Sequence, residues 1–235
     1  MAVGHIVLEG GGEFGGAMAE ADRRAMALAG GPDASICIIP TAAAPDHNDR
    51  RAGGNGMRWF QSLGAKRVVS LPLVDRASAN DPALAETLRQ ARFIYLLGGF
   101  THYLGQTLSR SLAWSAVLEA YRAGAVIAGS SAGAMVLCDH YYDPEGGKVE
   151  RGLGLVPNAC VIPHHNRFGA GWAPRLVSLL PGVVLIGIDE ETGMIDEGSA
   201  GEWVVYGKGA VTLYRMGERS RAVRGEQVEL RSKPD

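Results

Sequence analysis

A short apolar strand running straight into a Gly-x-Ser-x-Gly turn constrains this chain more than any other feature: Val126-Ile127-Ala128-Gly129-Ser130-Ser131-Ala132-Gly133-Ala134-Met135. A strand that reverses abruptly into a helix strains the residue at the corner, and side chains flanking it would collide with the turn. Small neighbours remove that collision, so Gly129 and Gly133 predict an elbow with the Ser131 hydroxyl raised above a sheet edge. The N–H of Ala132 then opens a helix, where unpaired amides and the macrodipole favour developing negative charge. Close packing of strand on helix is the plainer use of a glycine pair. Here the apolar strand before the turn and the small-residue helix start after it supply the context of a nucleophile elbow.

The bulk numbers exclude several roles. At 235 residues and a net charge of −2, the chain fits one domain, residues 1–235, able to bury roughly 70–75% of its unfolded surface. It carries no dense Lys/Arg run, which argues against nucleic-acid or membrane-surface partners. Cys37, Cys138 and Cys160 are odd in number and set in apolar segments, so they read as reduced core residues and not as a disulfide or zinc set. The N-terminus shows no basic region backed by a long apolar core, and no apolar run reaches the ~18 residues of a membrane span. The expectation is a cytoplasmic protein that needs no cofactor or metal and acts on a small molecule or peptide.

Apolar, β-branched runs recur at His5–Glu9, Ser35–Pro40, Arg67–Leu73, Phe93–Gly98, Val126–Ser130 and Val183–Asp189. Helical segments alternate with them: Gly16–Ala29, Gly56–Leu63, Pro82–Ala91, Leu104–Ala123 with a break near Ser109–Ser111, Ala132–Asp139 and Trp172–Leu180. This alternation predicts an α/β three-layer sandwich, a mostly parallel central sheet flanked by helices. Glu202–Tyr206 and Ala210–Arg215, around Gly207-Lys208-Gly209, read as an antiparallel hairpin at the closing edge of that sheet. A homodimer is left open, because the Leu104–Ala123 segment with Trp114 and Tyr121 suits core and interface equally.

Two further glycine-rich loops follow strands. Gly10-Gly11-Gly12-Glu13-Phe14-Gly15 formally matches a dinucleotide fingerprint, but the second strand ends in Pro40-Thr41-Ala42 without the acid that a ribose would require. Its expected role is close backbone approach beside the nucleophile. Gly98-Gly99 is expected to supply the N–H of Gly99 as the second donor of an oxyanion hole, after Ala132.

A serine at neutral pH needs a base. His5, His47, His102 and His140 suit structural or solvated positions, whereas Pro163-His164-His165-Asn166 follows the apolar strand Ala159–Ile162 and should emerge at a sheet edge. Adjacent residues on a strand end point opposite ways and no third ligand is in place, so metal binding is disfavoured. The carboxylate that would orient the imidazole is sought in Ile186-Gly187-Ile188-Asp189-Glu190-Glu191, with Asp139, Asp143 and Glu145 as competitors.

In the order Gly98-Gly99, Ser131, His164, Glu190, the chain resembles the dipeptidase E and cyanophycinase family of serine peptidases. The resemblance rests on Gly10-Gly11-Gly12, on Ile94-Tyr95-Leu96-Leu97-Gly98-Gly99, on Gly129-Ser130-Ser131-Ala132-Gly133-Ala134, on Gly152-Leu153-Gly154-Leu155-Val156-Pro157 leading to Pro163-His164, and on Ile186-Gly187-Ile188-Asp189-Glu190. It implies a fold like class I glutamine amidotransferases, with serine at the elbow, a Ser131–His164–Glu190 triad, and exopeptidase cleavage of small peptides at bonds next to aspartate. His165 remains a rival base, and Asp189 a rival acid.

The chain departs from the family pattern in two places. Phe100 follows the paired glycines where the family carries a polar residue. Ile162-Pro163 stand where members acting on β-aspartyl-arginine units carry an acid-amide pair, which ranks a small peptide above cyanophycin. Phe100, Arg167 and Arg175 are the substrate-contact candidates, the arginines for an aspartyl carboxylate. The alternatives are an α/β-hydrolase-like esterase, which normally places its histidine last, and a binding protein on the same fold with an inactive site.

Overall fold

The computed structural model describes residues 3–197, 202–215 and 217–230. The first half of the chain alternates as expected: β1 (Ile6–Glu9), α1 (Ala19–Leu28), β2 (Ser35–Ile39), α2 (Asp49–Ser62), β3 (Arg67–Ser70), α3 (Pro82–Arg89), β4 (Phe93–Leu96), α4 (Thr101–Leu108), α5 (Leu112–Arg122), β5 (Val126–Ser130) and α6 (Ala132–Leu137). The second half is richer in strand: β6 (Cys138–Asp143), β7 (Lys148–Arg151), β8 (Val156–Ile162), α7 (Ala173–Leu179), β9 (Val184–Ile188), β10 (Thr192–Ile195), β11 (Glu202–Gly207), β12 (Ala210–Arg215), β13 (Glu218–Val223) and β14 (Gln227–Glu229).

An eight-stranded sheet runs in the order β14-β11-β10-β1-β5-β4-β2-β3, with β1, β5, β4, β2 and β3 parallel to one another and β10 antiparallel to β1. β1, β4 and β5 are buried along their whole length, which is why they read as unbroken apolar runs. Each fully buried Val, Ile or Leu contributes roughly 1.5–3 kcal/mol. The helix break at Ser109–Ser111 is present, and Ser111 caps α5 by accepting from the Trp114 N–H at 3.0 Å. Trp114 is buried.

The second sheet, β13-β12-β9-β8-β6-β7, was not foreseen, and it corrects the hairpin. Glu202–Gly207 pairs with β10 and β14 in the first sheet, whereas Ala210–Arg215 pairs with β9 and β13 in the second. The chain therefore crosses between sheets at Gly207-Lys208-Gly209. The C-terminal antiparallel hairpin is β12 with β13. Alternating burial in β11 resembles a half-exposed edge strand from either side, so pattern alone did not identify its partner.

Helix α2 begins seven residues earlier than the Gly56 start expected from sequence. Gly53 and Gly56 suggest a turn, but here they permit close packing: a Cβ at Gly53 would lie 2.0 Å from Ser70 Oγ. Cys37, Cys138 and Cys160 are buried and unpaired. Among the described residues no helix is long and apolar enough to cross a membrane, and no three His, Cys, Asp or Glu side chains are grouped to hold a metal ion.

Candidate active site

Ser131 connects β5 to α6 with φ 49° and ψ −111°, a backbone state that an L-residue adopts only under constraint. The constraint is steric. A Cβ on Gly129 would lie 2.4 Å from the Gly133 carbonyl carbon, and one on Gly133 would lie 2.2 Å from the Leu96 carbonyl oxygen. The Ser131 N–H donates to the Glu9 carbonyl at 3.0 Å, tying the elbow to the end of β1.

The histidine and the acid come from the second sheet. β8 and β9 run parallel, with Ile162 opposite Gly187, so the residues that follow them leave side by side at one edge. Two His–acid pairs result. His164 Nδ1 lies 2.9 Å from Glu190 Oε1, and its Nε2 lies 3.0 Å from Ser131 Oγ. A carboxylate only accepts, so Nδ1 carries the ring proton and Nε2 is left to accept from the serine hydroxyl.

His165 faces the other way. Its Nε2 meets Tyr214 Oη at 2.9 Å and its Nδ1 lies 3.5 Å from Asp189 Oδ1. It is 5% exposed, and burial pushes its pKa down. Asp189 also accepts from the Ala210 N–H at 2.9 Å. Asp139 accepts from the Asn158 N–H at 2.6 Å and Asp143 from the Glu145 N–H at 3.1 Å. None of these rivals makes a hydrogen bond to Ser131.

Neighbours that the sequence reading did not single out set the geometry of His164 and Glu190. Asn166 Oδ1 accepts from the Glu190 N–H at 3.0 Å. Phe168 stacks on the His164 ring at 4.9 Å between centroids. Hydrogen bonding from His164, followed by the Arg167 charge, holds the Glu190 carboxyl below its usual range. Asn166 and Phe168 lie within four residues of the histidine, and their proximity was the only available signal.

The substrate-contact candidates divide. Arg167 Nε pairs with Glu190 Oε2 at 2.6 Å, leaving a side chain that is 68% exposed. Arg175 is engaged elsewhere, donating to the Gly147 carbonyl at 2.5 Å and to Tyr142 Oη at 3.4 Å. None of its hydrogen bonds reaches Ser131, His164 or Glu190. Phe100 lines a cleft of about 310 Å³ together with Glu13, Phe14, Gly98 and Gly99. Among the described residues, no protein acceptor is recorded for the N–H of Gly99 or of Ala132.

A strained serine bonded to an imidazole, itself bonded to a carboxylate, at the C-terminal ends of parallel strands is a geometry that can activate a serine as a nucleophile. The model of peptidase family S51 matches residues 6–202, and the chain belongs to that family.

A cyanophycinase from Trichormus variabilis is 32% identical over 198 residues, which is 79% of this chain and 64% of the relative. The chain thus spans less than two thirds of that relative's length. A cyanophycinase from Geminocystis herdmanii is 32% identical over 200 residues, covering 79% of this chain and 71% of the relative. The crystal structure of a peptidase from an acI-B1 actinobacterium superposes with a TM-score of 0.84 at 30% identity, covering 97% of each chain. A putative peptidase E protein from Listeria monocytogenes shares the fold at a TM-score of 0.65 and 21% identity, covering 88% of this chain and 100% of that one.

Proposed function

We propose that this chain is a serine-type exopeptidase that hydrolyses small peptides at bonds next to aspartate, with Ser131 as nucleophile, His164 as general base and Glu190 as the carboxylate that orients it. The 3.0 Å contact between Ser131 Oγ and His164 Nε2 is the observation that carries this reading. His164 takes the hydroxyl proton as Oγ bonds to the substrate carbonyl carbon. The N–H groups of Ala132 and Gly99 stabilise the oxyanion, each worth about 3–4 kcal/mol. The imidazolium then protonates the leaving amine as the C–N bond breaks, and a water activated by the same ring hydrolyses the acyl-enzyme.

Arg167, with its side chain more than half exposed, is the candidate contact for an aspartyl carboxylate. Residue order supports a peptidase over an α/β-hydrolase-like esterase, because the histidine here precedes the acid. Cyanophycinase-like release of β-aspartyl-arginine is the second reading, supported by the names of the cyanobacterial relatives. Ile162-Pro163 at the family's acid-amide position weighs against it.

The test compares hydrolysis of Asp-Leu, a panel of dipeptides varied at the first residue, and β-aspartyl-arginine by wild type and Ser131→Ala, alongside fluorophosphonate labelling. Undiminished hydrolysis by Ser131→Ala removes the assignment. An unreactive wild-type serine would instead favour the inactive binding protein.

A further inference from the structure

Glu13 is a single carboxylate in the loop Gly10–Gly16, five of whose seven residues are glycine. Its Oε2 accepts from Ser130 Oγ at 3.0 Å, and no protein donor reaches Oε1 among the described residues. Glu13 Oε1 and Ser131 Cβ each lie 3.2 Å from the point a Cβ on Gly98 would occupy. The carboxylate and the serine thus approach one spot from two sides, over a floor with no side chain. Of the residues lining the cleft that opens from this spot, the charged ones are Glu13 and Asp46, both acidic.

The distances select among cations. In a free N-terminal residue the α-nitrogen lies about 2.5 Å from its own carbonyl carbon, and a charge-assisted N–H···O contact spans about 2.7–2.9 Å. A carboxylate gripping that nitrogen therefore sits about 5 Å from the carbon under attack, which suits a group placed this close to Ser131. A lysine or arginine head on the same residue would be carried several ångströms further by its stem.

We infer that Glu13 anchors the substrate's free α-ammonium, so that the first peptide bond is the one presented to Ser131. This deepens the exopeptidase reading and rests on it only for Ser131 as the attacking group. The same carboxylate repels an acidic side chain, which turns a substrate aspartate away from this cleft and toward Arg167.

Calorimetric titration of Ser131→Ala with Asp-Leu and with succinyl-leucine, the same molecule without its α-ammonium, tests the anchor without requiring turnover. Succinyl-leucine should bind about 10–100-fold more weakly. That difference should vanish in Ser131→Ala/Glu13→Gln and persist in Ser131→Ala/Ser130→Ala, which frees Oε2 but keeps the charge. Equal binding, binding of neither peptide, a difference that survives Glu13→Gln, or equal weakening of both peptides by Glu13→Gln would each overturn the inference. N-acetyl-lysyl-leucine binding as tightly as Asp-Leu would assign the subsite to a side-chain cation and overturn it as well. Fluorophosphonate labelling of the wild type reports separately on Ser131 activation, so its failure would sink the hydrolytic reading alone.

Discussion

The carbonyl of Gly10 accepts the His164 N–H at 2.7 Å. The adjacent carbonyls hold the elbow and the loop that carries the acid: Glu9 accepts from the Ser131 N–H at 3.0 Å, and Gly11 from the N–H of Glu191, the residue after Glu190, at 2.7 Å. Three consecutive carbonyls at the end of β1 therefore set the spacing between an elbow on one sheet and two loops on the other.

Gly11 has φ +107°, and a Cβ there would lie 2.3 Å from His164 Cε1. Gly11→Ala should push the imidazole from the serine, and a misplacement near 1 Å costs about 10²-fold. The expected outcome is a loss of kcat/KM of that order, with slower fluorophosphonate labelling, in a protein whose circular dichroism is unchanged. Wild-type labelling kinetics would reject the steric argument.

Ser131 is held at a positive φ, a state costing about 1–3 kcal/mol for a residue with a side chain and little for glycine. Ser131→Gly should therefore abolish turnover and raise the unfolding midpoint in urea. A lowered midpoint would mean that the elbow is unstrained or that the hydroxyl contributes more than the strain costs.

Glu190 is held below the usual carboxylate range by its bond to His164 and by Arg167. A depressed folded-state pKa contributes stability that is fully present above the unfolded value near 4.5 and is lost as pH falls through the folded value. The exposed setting keeps this contribution small. Glu190→Gln removes the charge that stabilises the imidazolium and should lower kcat about 10²–10⁴-fold at neutral pH. A kcat within threefold of wild type in stopped assays would exclude this role.

His165 pairs with Tyr214 and Asp189 and makes no hydrogen bond to Ser131. His165→Gln should lower the thermal midpoint through a disturbed buried network, at about 1–3 kcal/mol, while kcat per folded molecule stays within tenfold of wild type. A collapse of kcat without loss of stability would restore His165 as the base.

Glu9 and Asp22 face each other under the elbow; Tyr95 Oη donates to Glu9 at 2.5 Å and Trp59 Nε1 to Asp22 at 2.7 Å. Burial pushes Glu9 well above its ordinary range and Asp22 up to about 7. Here the folded state binds more protons than the unfolded chain. The contribution is thus fully present below the unfolded value of 3.8 and is lost as pH rises toward about 7. Asp22→Asn keeps an acceptor for Trp59 and a donor for Glu9, so it should gain stability relative to wild type at pH 8 and little at pH 4.5. Parallel denaturation curves at both pH values would contradict this.

Much of the candidate site was legible because its chemistry is local. Ser131 is marked by its glycines, and histidines and carboxylates placed directly after buried strands must emerge where the strands end. The choice between His164 and His165, and between Asp189 and Glu190, was not legible in the residue pattern and rested on the family resemblance alone. It depends on which way each side chain leaves parallel strands, and His164 itself sits at φ 47°. The ion pair of Arg167 with Glu190 was equally hidden, because nothing in sequence brings together two residues 23 positions apart.

From sequence alone came the parallel core, the elbow, the helix break at Ser109–Ser111 and the short set of titratable residues, since each depends on neighbours within one turn or one strand. Tertiary structure decided the second sheet, the crossing at Gly207–Gly209 and the pairing of His164 with Glu190. It also placed Glu13 beside Ser131, 118 residues away. Those outcomes depend on hydrogen-bond register and close backbone approach between segments far apart in the chain, and local periodicity carries no information about either.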